Sequence, residues 1–179
     1  HPDGSPLRTL AILEDVTEKT RAERALMKAA QLLERTGQIA TVGGWEVDLL
    51  TGAIDWTKQT RRIHGVGDDY VPTLETAIEF YAPEARAVIT AAVQQAIDTG
   101  AGWDLELRFI AADRTEKWVR ALGEVEISNG KPVRLAGAFQ DITRRIQRER
   151  ELKDAHERMN IATENGGIGV WDADLQTGT

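Results

Sequence analysis

The chain has 179 residues, with 22 Lys or Arg against 29 Asp or Glu and a formal net charge of −7. That balance argues against a general nucleic-acid binder, which needs a basic stripe, and the absence of Cys excludes disulfides, Cys-bound zinc and a thiol nucleophile. No apolar run approaches the roughly 20 residues of a membrane span, so no direct membrane contact is expected of this stretch.

In chain order, residues 7–16, "LRTLAILEDV", are apolar and β-branched behind the turn "PDGSP", and read as a strand. Residues 17–40 are rich in Ala, Glu, Lys, Arg and Leu, which favour helix. Leu26, Leu33 and Ala40 fall seven apart, with Ala22, Ala29 and Ala30 on the same side. This short heptad-like stripe allows an amphipathic helix packed on its own domain or a parallel coiled coil between two copies. "GGWEVDLLTGAIDW" alternates at Trp45, Val47 and Leu49, turns at Thr51-Gly52 and resumes at Ile54 and Trp56, the pattern of a hairpin. Residues 57–100 are helical in composition, broken by "GVGDDYVP" and Pro83. Within them 84–99 predicts a helix with Val88, Ala92 and Ile97 on its apolar face and a stop at Gly100. Strands then return. "WDLELRF" sets Trp103, Leu105, Leu107 and Phe109 on one face against Asp104, Glu106 and Arg108 on the other, the alternation of a half-buried antiparallel strand. "KWVRALGEVEI" and "PVRLAGAFQDI" follow, joined by the turn Asn129-Gly130. Residues 144–163 predict a second charged helix, with Leu152 and Met159 standing where Leu26 and Leu33 stood. Helix, two strands, helical middle, three strands and helix predict an α+β fold: a five-stranded antiparallel sheet with helices on one face and helical N- and C-terminal flanks.

The chain also repeats itself. Trp45 and Trp171 lie 126 positions apart (171 − 45), and the same offset carries Asp48 to Asp174, Gly52 to Gly178, Pro6 to Pro132, Asp15 to Asp141, Thr17 to Thr143, Arg24 to Arg150 and Leu26 to Leu152. We therefore expect a window on a tandem array. Residues 1–16 would be the tail of an upstream unit, 17–40 a linker helix, 41–143 one complete unit, 144–163 the outgoing linker helix and 164–179 the head of a downstream unit. A lone strand cannot bury a face, so neither stub is expected to be stable alone. The start at His1 and the lack of a secretory signal suggest a cytoplasmic fragment of a longer protein that is free to carry a membrane anchor elsewhere.

With Gly43 or Gly44, Trp45 and Asp48 before "LLTG", then "RRIHGV", "ELRFIAADRTEKWVRALGEV" and "GAFQDIT" in this order, residues 36–144 resemble a PAS domain with its C-terminal PAC segment. The subclass it resembles begins its first strand Gly-x-Trp-x-x-Asp and ends its last Asp-Ile-Thr. The resemblance implies a sensory or relay module from a multi-PAS bacterial signalling protein, such as a sensor histidine kinase or diguanylate cyclase, with first and last strands adjacent in the sheet. It also implies that Asp141 and Thr143 couple the sheet to the outgoing helix, with Asp15 and Thr17 as upstream copies. From the residues alone, Asp141 or Thr143 would serve as an ordinary helix cap. Both readings require the same hydrogen bonds.

A pocket between sheet and helices would be lined by Ile63, Ile78, Phe80, Tyr81, Trp103, Leu107 and Trp118, or these side chains simply fill the core; we expect the latter. A flavin photoadduct, which the resemblance would otherwise suggest, needs a Cys that is absent. For a haem, His1 and His156 fall outside the central unit, and His64 sits near a helix end, where the carbonyl dipole favours the imidazolium. No metal-ligand spacing is present, so no cofactor is expected, while an unidentified small ligand is compatible with the sequence. Ser5 and Ser128 stand in turns without triad partners, and the Gly pairs at 43–44 and 166–167 lack the Lys-Ser/Thr of a phosphate loop, so no catalysis is expected of this fragment. The expected function is a relay module that passes changes in the sheet into a coiled-coil helix controlling a downstream effector. It would work as a homodimer through Leu26, Leu33, Leu152 and Met159, with neighbouring PAS and effector domains as its other partners. The alternatives are a structural dimerisation spacer and a metabolite-binding receptor.

Overall fold

Residues 17–166 are described by the structure, a computed structural model. The stub strand expected at 7–16, Asp15 and the downstream hairpin with Trp171 lie outside the described residues. Helix α1 (Thr17–Ala40) leads into β1 (Val42–Asp48) and β2 (Ile54–Trp56). Three short helices follow, α2 (Lys58–His64), α3 (Leu74–Glu79) and α4 (Pro83–Thr99). The chain closes with β3 (Trp103–Ile110), β4 (Glu116–Ser128), β5 (Lys131–Asp141) and α5 (Thr143–Gly166). Both flanking helices have 24 residues and begin at Thr17 and Thr143, the spacing of the sequence repeat. Helix α5 runs to Gly166, past the expected end at 163, because Thr163-Glu164-Asn165 contains neither Gly nor Pro to stop it.

The five strands form one antiparallel sheet in the order β2-β1-β5-β4-β3, so the first and last strands are neighbours. Local chemistry sets the turns. Asp48 Oδ1 accepts from the backbone N–H of Leu50 and of Thr51, each at 2.8 Å, and so shapes the β1–β2 hairpin. Those two N–H donors hold its carboxyl below the usual carboxylate pKa. At the β4–β5 turn Asn129 and Gly130 have φ of 51° and 74°, the left-handed pair a two-residue hairpin of matching twist requires.

Alternation along the strands divides the sheet into two faces. Phe109, Val119, Ala121, Leu135 and Phe139 are buried on the inner one, under α2 and α4. Helix α4 packs Ile97 against the core as expected and leaves Ala92 half-buried, but its inward stripe is rotated away from Val88. Ala85, Ile89, Val93 and Ala96 are buried and Val88 is exposed. The phase is set at the helix start, where the Ala82 N–H donates to the Arg108 carbonyl at 3.0 Å and ties that residue to edge strand β3. The alanines at 85 and 96 then let the helix lie close to the sheet.

Candidate functional site: an aromatic cavity and the junction with the outgoing helix

Five residues in register cross the whole inner face: Trp56 on β2, Trp45 on β1, Gly137 on β5, Gly123 on β4 and Trp103 on β3. The two central glycines make room for the indoles on either side. A Cβ on Gly123 would fall 2.3 Å from the Trp103 ring, and one on Gly137 would fall 2.8 Å from the Trp45 ring and 1.8 Å from the Leu122 carbonyl oxygen. Over this floor Trp45 and Trp103 stack with centroids 5.6 Å apart.

Above the row lies a cavity of about 70 Å³. Of the residues expected to line a pocket, Ile78, Tyr81 and Trp103 do so, joined by Trp45, Trp56, Thr60 and His64. Ile63 is buried in the core, Leu107 and Phe80 pack against it, and none of the three reaches the cavity. Trp118 stands on the opposite face. It pairs with Arg108 and shares the phase of Arg120, whereas Val119 and Ala121 point inward. That phase is legible in "KWVRALG", where the small and apolar residues alternate with Trp118 and Arg120. Burial pushes the Tyr81 hydroxyl above its ordinary range. The Trp103 Nε1–H is the only buried side-chain polar atom among the described residues that has no hydrogen-bond partner.

His64 is the last residue of α2, as its place in the sequence suggests, but the side chain is buried. Its ring is packed by Trp56, Phe80, Phe109 and Phe139, with centroids 4.0, 5.0, 4.8 and 4.8 Å away. Nδ1 lies 2.8 Å from the Thr60 carbonyl oxygen. Desolvation outweighs this bond and lowers the pKa to about 4. The expectation that the helix end favours the imidazolium is thus overturned: the ring is neutral at neutral pH. Among the described residues no cluster of His, Asp and Glu is placed to hold a metal.

The second part of the site is the junction. Asp141 Oδ1 accepts from the Thr143 N–H at 3.0 Å and caps the start of α5. Thr143 Oγ1 accepts from the Trp118 N–H at 3.0 Å, and the Ile142 N–H donates to the Trp118 carbonyl at 2.9 Å. Because β1 lies beside β5, the end of α1 meets the start of α5. The Asp141 N–H donates to the Thr41 carbonyl at 3.1 Å, and Thr41 Oγ1 donates to the Asp141 carbonyl at 3.1 Å. Thr41 takes φ of 55° to do so, a backbone conformation uncommon outside Gly, Asn and Asp. Thr17, the upstream copy of Thr143, begins α1. Leu26, Leu33, Leu152 and Met159 are all exposed.

An antiparallel sheet floored with indoles, covered by helices on one face and joined at neighbouring strand ends to two long ones defines an α+β domain with helical flanks. Residues 53–139 match the family model of the PAS fold, and the described sheet and helices have that fold. It is 29% identical over 113 residues to the sensor protein FixL of Bradyrhizobium diazoefficiens, covering 63% of this chain and 22% of that protein. It is 24% identical over 176 residues to the probable diguanylate cyclase DgcE of Escherichia coli K12, covering 98% of this chain and 16% of that protein. The solved structure of a sensory box histidine kinase/response regulator from Burkholderia thailandensis superposes with a TM-score of 0.58 at 25% identity, covering 72% of this chain and 97% of that one. The chain therefore spans well under a third of the curated relatives it matches, and is related to the sensory domains of histidine kinases and diguanylate cyclases. None of its described helices is long and apolar enough to cross a membrane.

Proposed function

We propose that this PAS domain relays signals from its sheet into α5 through Asp141, Ile142 and Thr143, and so sets the state of a downstream effector of the histidine-kinase or diguanylate-cyclase class in the cytoplasm. The observation that carries the reading is the reciprocal pair of hydrogen bonds between Thr41 and Asp141. A displacement of α1 or of the sheet reaches the cap of α5 through these bonds. A coupling of about 1–3 kcal/mol is enough for such a relay. Two copies pair through the exposed stripes Leu26, Leu33, Leu152 and Met159, and the domain itself catalyses nothing. The test is Asp141→Ala in the parent protein. Losing a helix cap costs about 1 kcal/mol, so the domain stays folded while output stops following stimulus. An unchanged stimulus response would remove the reading.

One observation favours a second reading, that of a receptor for a small molecule: the unpartnered Trp103 Nε1–H beside the cavity. A flavin photoadduct would have no Cys to form on, and His64 is packed against four aromatic rings. Trp103→Phe keeps the ring and removes the N–H. Under this reading it abolishes retention of a co-purifying compound seen by native mass spectrometry, and a wild-type protein that carries no such compound counts against a receptor.

A further inference from the structure

Trp118 is unusual in holding α5 twice. Its main chain receives the first turn, through the Ile142 N–H at 2.9 Å and the Thr143 hydroxyl at 3.0 Å. Its ring lies on the outer face of the sheet, and the Arg150 guanidinium stands over it, 5.5 Å from the ring centroid. Seven residues separate Thr143 from Arg150, about 10 Å of helix at 1.5 Å per residue. A single anchor fixes where a helix begins and leaves its direction free. Two anchors two turns apart fix the direction as well. Both here belong to one residue of β4, so a displacement of that strand carries the first two turns of α5 along as a rigid lever.

We propose that Trp118 and Arg150 form an aromatic–cation clamp that sets the angle of the outgoing helix, making both positioning residues for the relay. The inference rests on the relay reading above and adds residues outside the Asp-Ile-Thr junction. A second observation supports it independently. The repeat offset carries Arg150 back to Arg24, and Thr143 back to Thr17, so both flanking helices place an Arg seven residues after their first Thr. Neighbouring Arg145 donates to Glu106 on β3 at 2.5 Å, an ion pair any cation could make. The Arg150 guanidinium over Trp118 draws instead on an aromatic face beneath it.

The chain lacks Cys, so Lys131→Cys and His156→Cys, at two exposed positions at the start of β5 and on α5, take spin labels without competition. Labelled protein is diluted into unlabelled protein so that only distances within one copy are read by double electron–electron resonance. The clamped helix gives one narrow distance distribution. Arg150→Gln is expected to lower the ratio of clamped to swung-out helix roughly 2- to 5-fold and to broaden that distribution. Trp118→Leu does the same, while Arg150→Lys and Trp118→Phe, which keep a cation over a ring, restore most of it. An unaltered distribution in Arg150→Gln overturns the clamp, and so does a Lys variant as broad as the Gln one. The measurement reads the direction of α5 and not signalling. A failed Asp141→Ala relay test would leave this result standing, and a failed clamp would leave the junction intact.

Discussion

The two faces of this sheet are built from alternate residues of the same strands, and they do opposite work. On the inner face Phe109, Val119 and Leu135 are fully sealed, and each large apolar side chain so buried contributes about 1.5–3 kcal/mol. The outer face is a lattice of charge. Arg108 bridges Glu84 and Glu116, Arg134 bridges Glu46 and Glu126, and Arg145 bridges Glu106 and Glu149. Pairs of this kind are worth about 0–1 kcal/mol. The contrast bears on the relay proposed above. The face that fixes the fold is separated by one backbone layer from the face where α5 is attached, so the attachment can be rearranged without opening the core.

The comparison breaks most readily from inside. Phe109→Ala removes a fully buried ring that touches Phe80, Tyr81, His64 and Phe139, and is expected to cost about 3–5 kcal/mol. That is a large part of the ~5–15 kcal/mol by which domains are stable, and a thermal or urea melt reads it directly. Gly137→Ala tests the indole floor. The added Cβ meets the Leu122 carbonyl at 1.8 Å and the Trp45 ring at 2.8 Å, and neither the strand nor a stacked indole can withdraw freely. We expect a loss of about 1–3 kcal/mol, accompanied by a changed near-ultraviolet circular dichroism as the Trp45–Trp103 stack is disturbed. Ala138→Gly, one residue along on the outer face, leaves that signal as it was.

His64 gives the inner face a pH dependence. Its folded pKa of about 4 lies below the ordinary 6.5, so the unfolded chain binds a proton that the folded one refuses. Stability from this group is therefore complete above about pH 6.5, falls as the pH drops from 6.5 toward 4, and levels off below that. The full difference is about 3 kcal/mol at 1.4 kcal/mol per decade. Besides the aromatic rings, Lys117 lies near enough to disfavour the imidazolium, its ammonium donating to the Ile63 carbonyl at 2.6 Å. Urea midpoints measured between pH 7 and pH 4.5 should fall steeply in the wild type and clearly less in His64→Phe. Parallel slopes would mean that the acid sensitivity lies elsewhere.

These contrasts were legible in the sequence to different depths. Alternation in "WDLELRF" announced the inner row Trp103, Leu105, Leu107 and Phe109, because a strand's two-residue period needs no knowledge of its partners. Asp141 was legible as a capping residue for the same reason: a cap is local; Thr143, read as the alternative cap, instead accepts from the Trp118 N–H. Their partners were not legible. Thr41 lies 100 residues from Asp141 and Trp118 lies 25 from Thr143, and only strand register brings them together. Trp118 shows the error most clearly. Its residue type suggests a core position, but its phase with Arg120 places it outside. Likewise, the buried side of α4 depends on how Tyr81 and Ala82 join β3, which helical periodicity alone cannot report. His64 followed the same rule: its helix end was readable, while the four rings that enclose it come from β2, β3, β5 and the segment before α4.

The mildest variant sharpens the comparison most, because it tests whether the outer face is as dispensable as its chemistry implies. Arg134 sits on β5 with Glu46 at 3.1 Å on one neighbouring strand and Glu126 at 3.4 Å on the other. Arg134→Ala leaves two carboxylates on the flanking strands without their shared cation, yet both remain in contact with water, which replaces it. We expect a change within about 0.5 kcal/mol that shrinks further as salt is raised, since exposed pairs are screened over ~8–10 Å at physiological ionic strength. A salt series of urea melts reads both quantities. A loss as large as that of Gly137→Ala, persisting at high salt, would show that the outer lattice holds the sheet together after all, and that α5 cannot move across it without loosening the core.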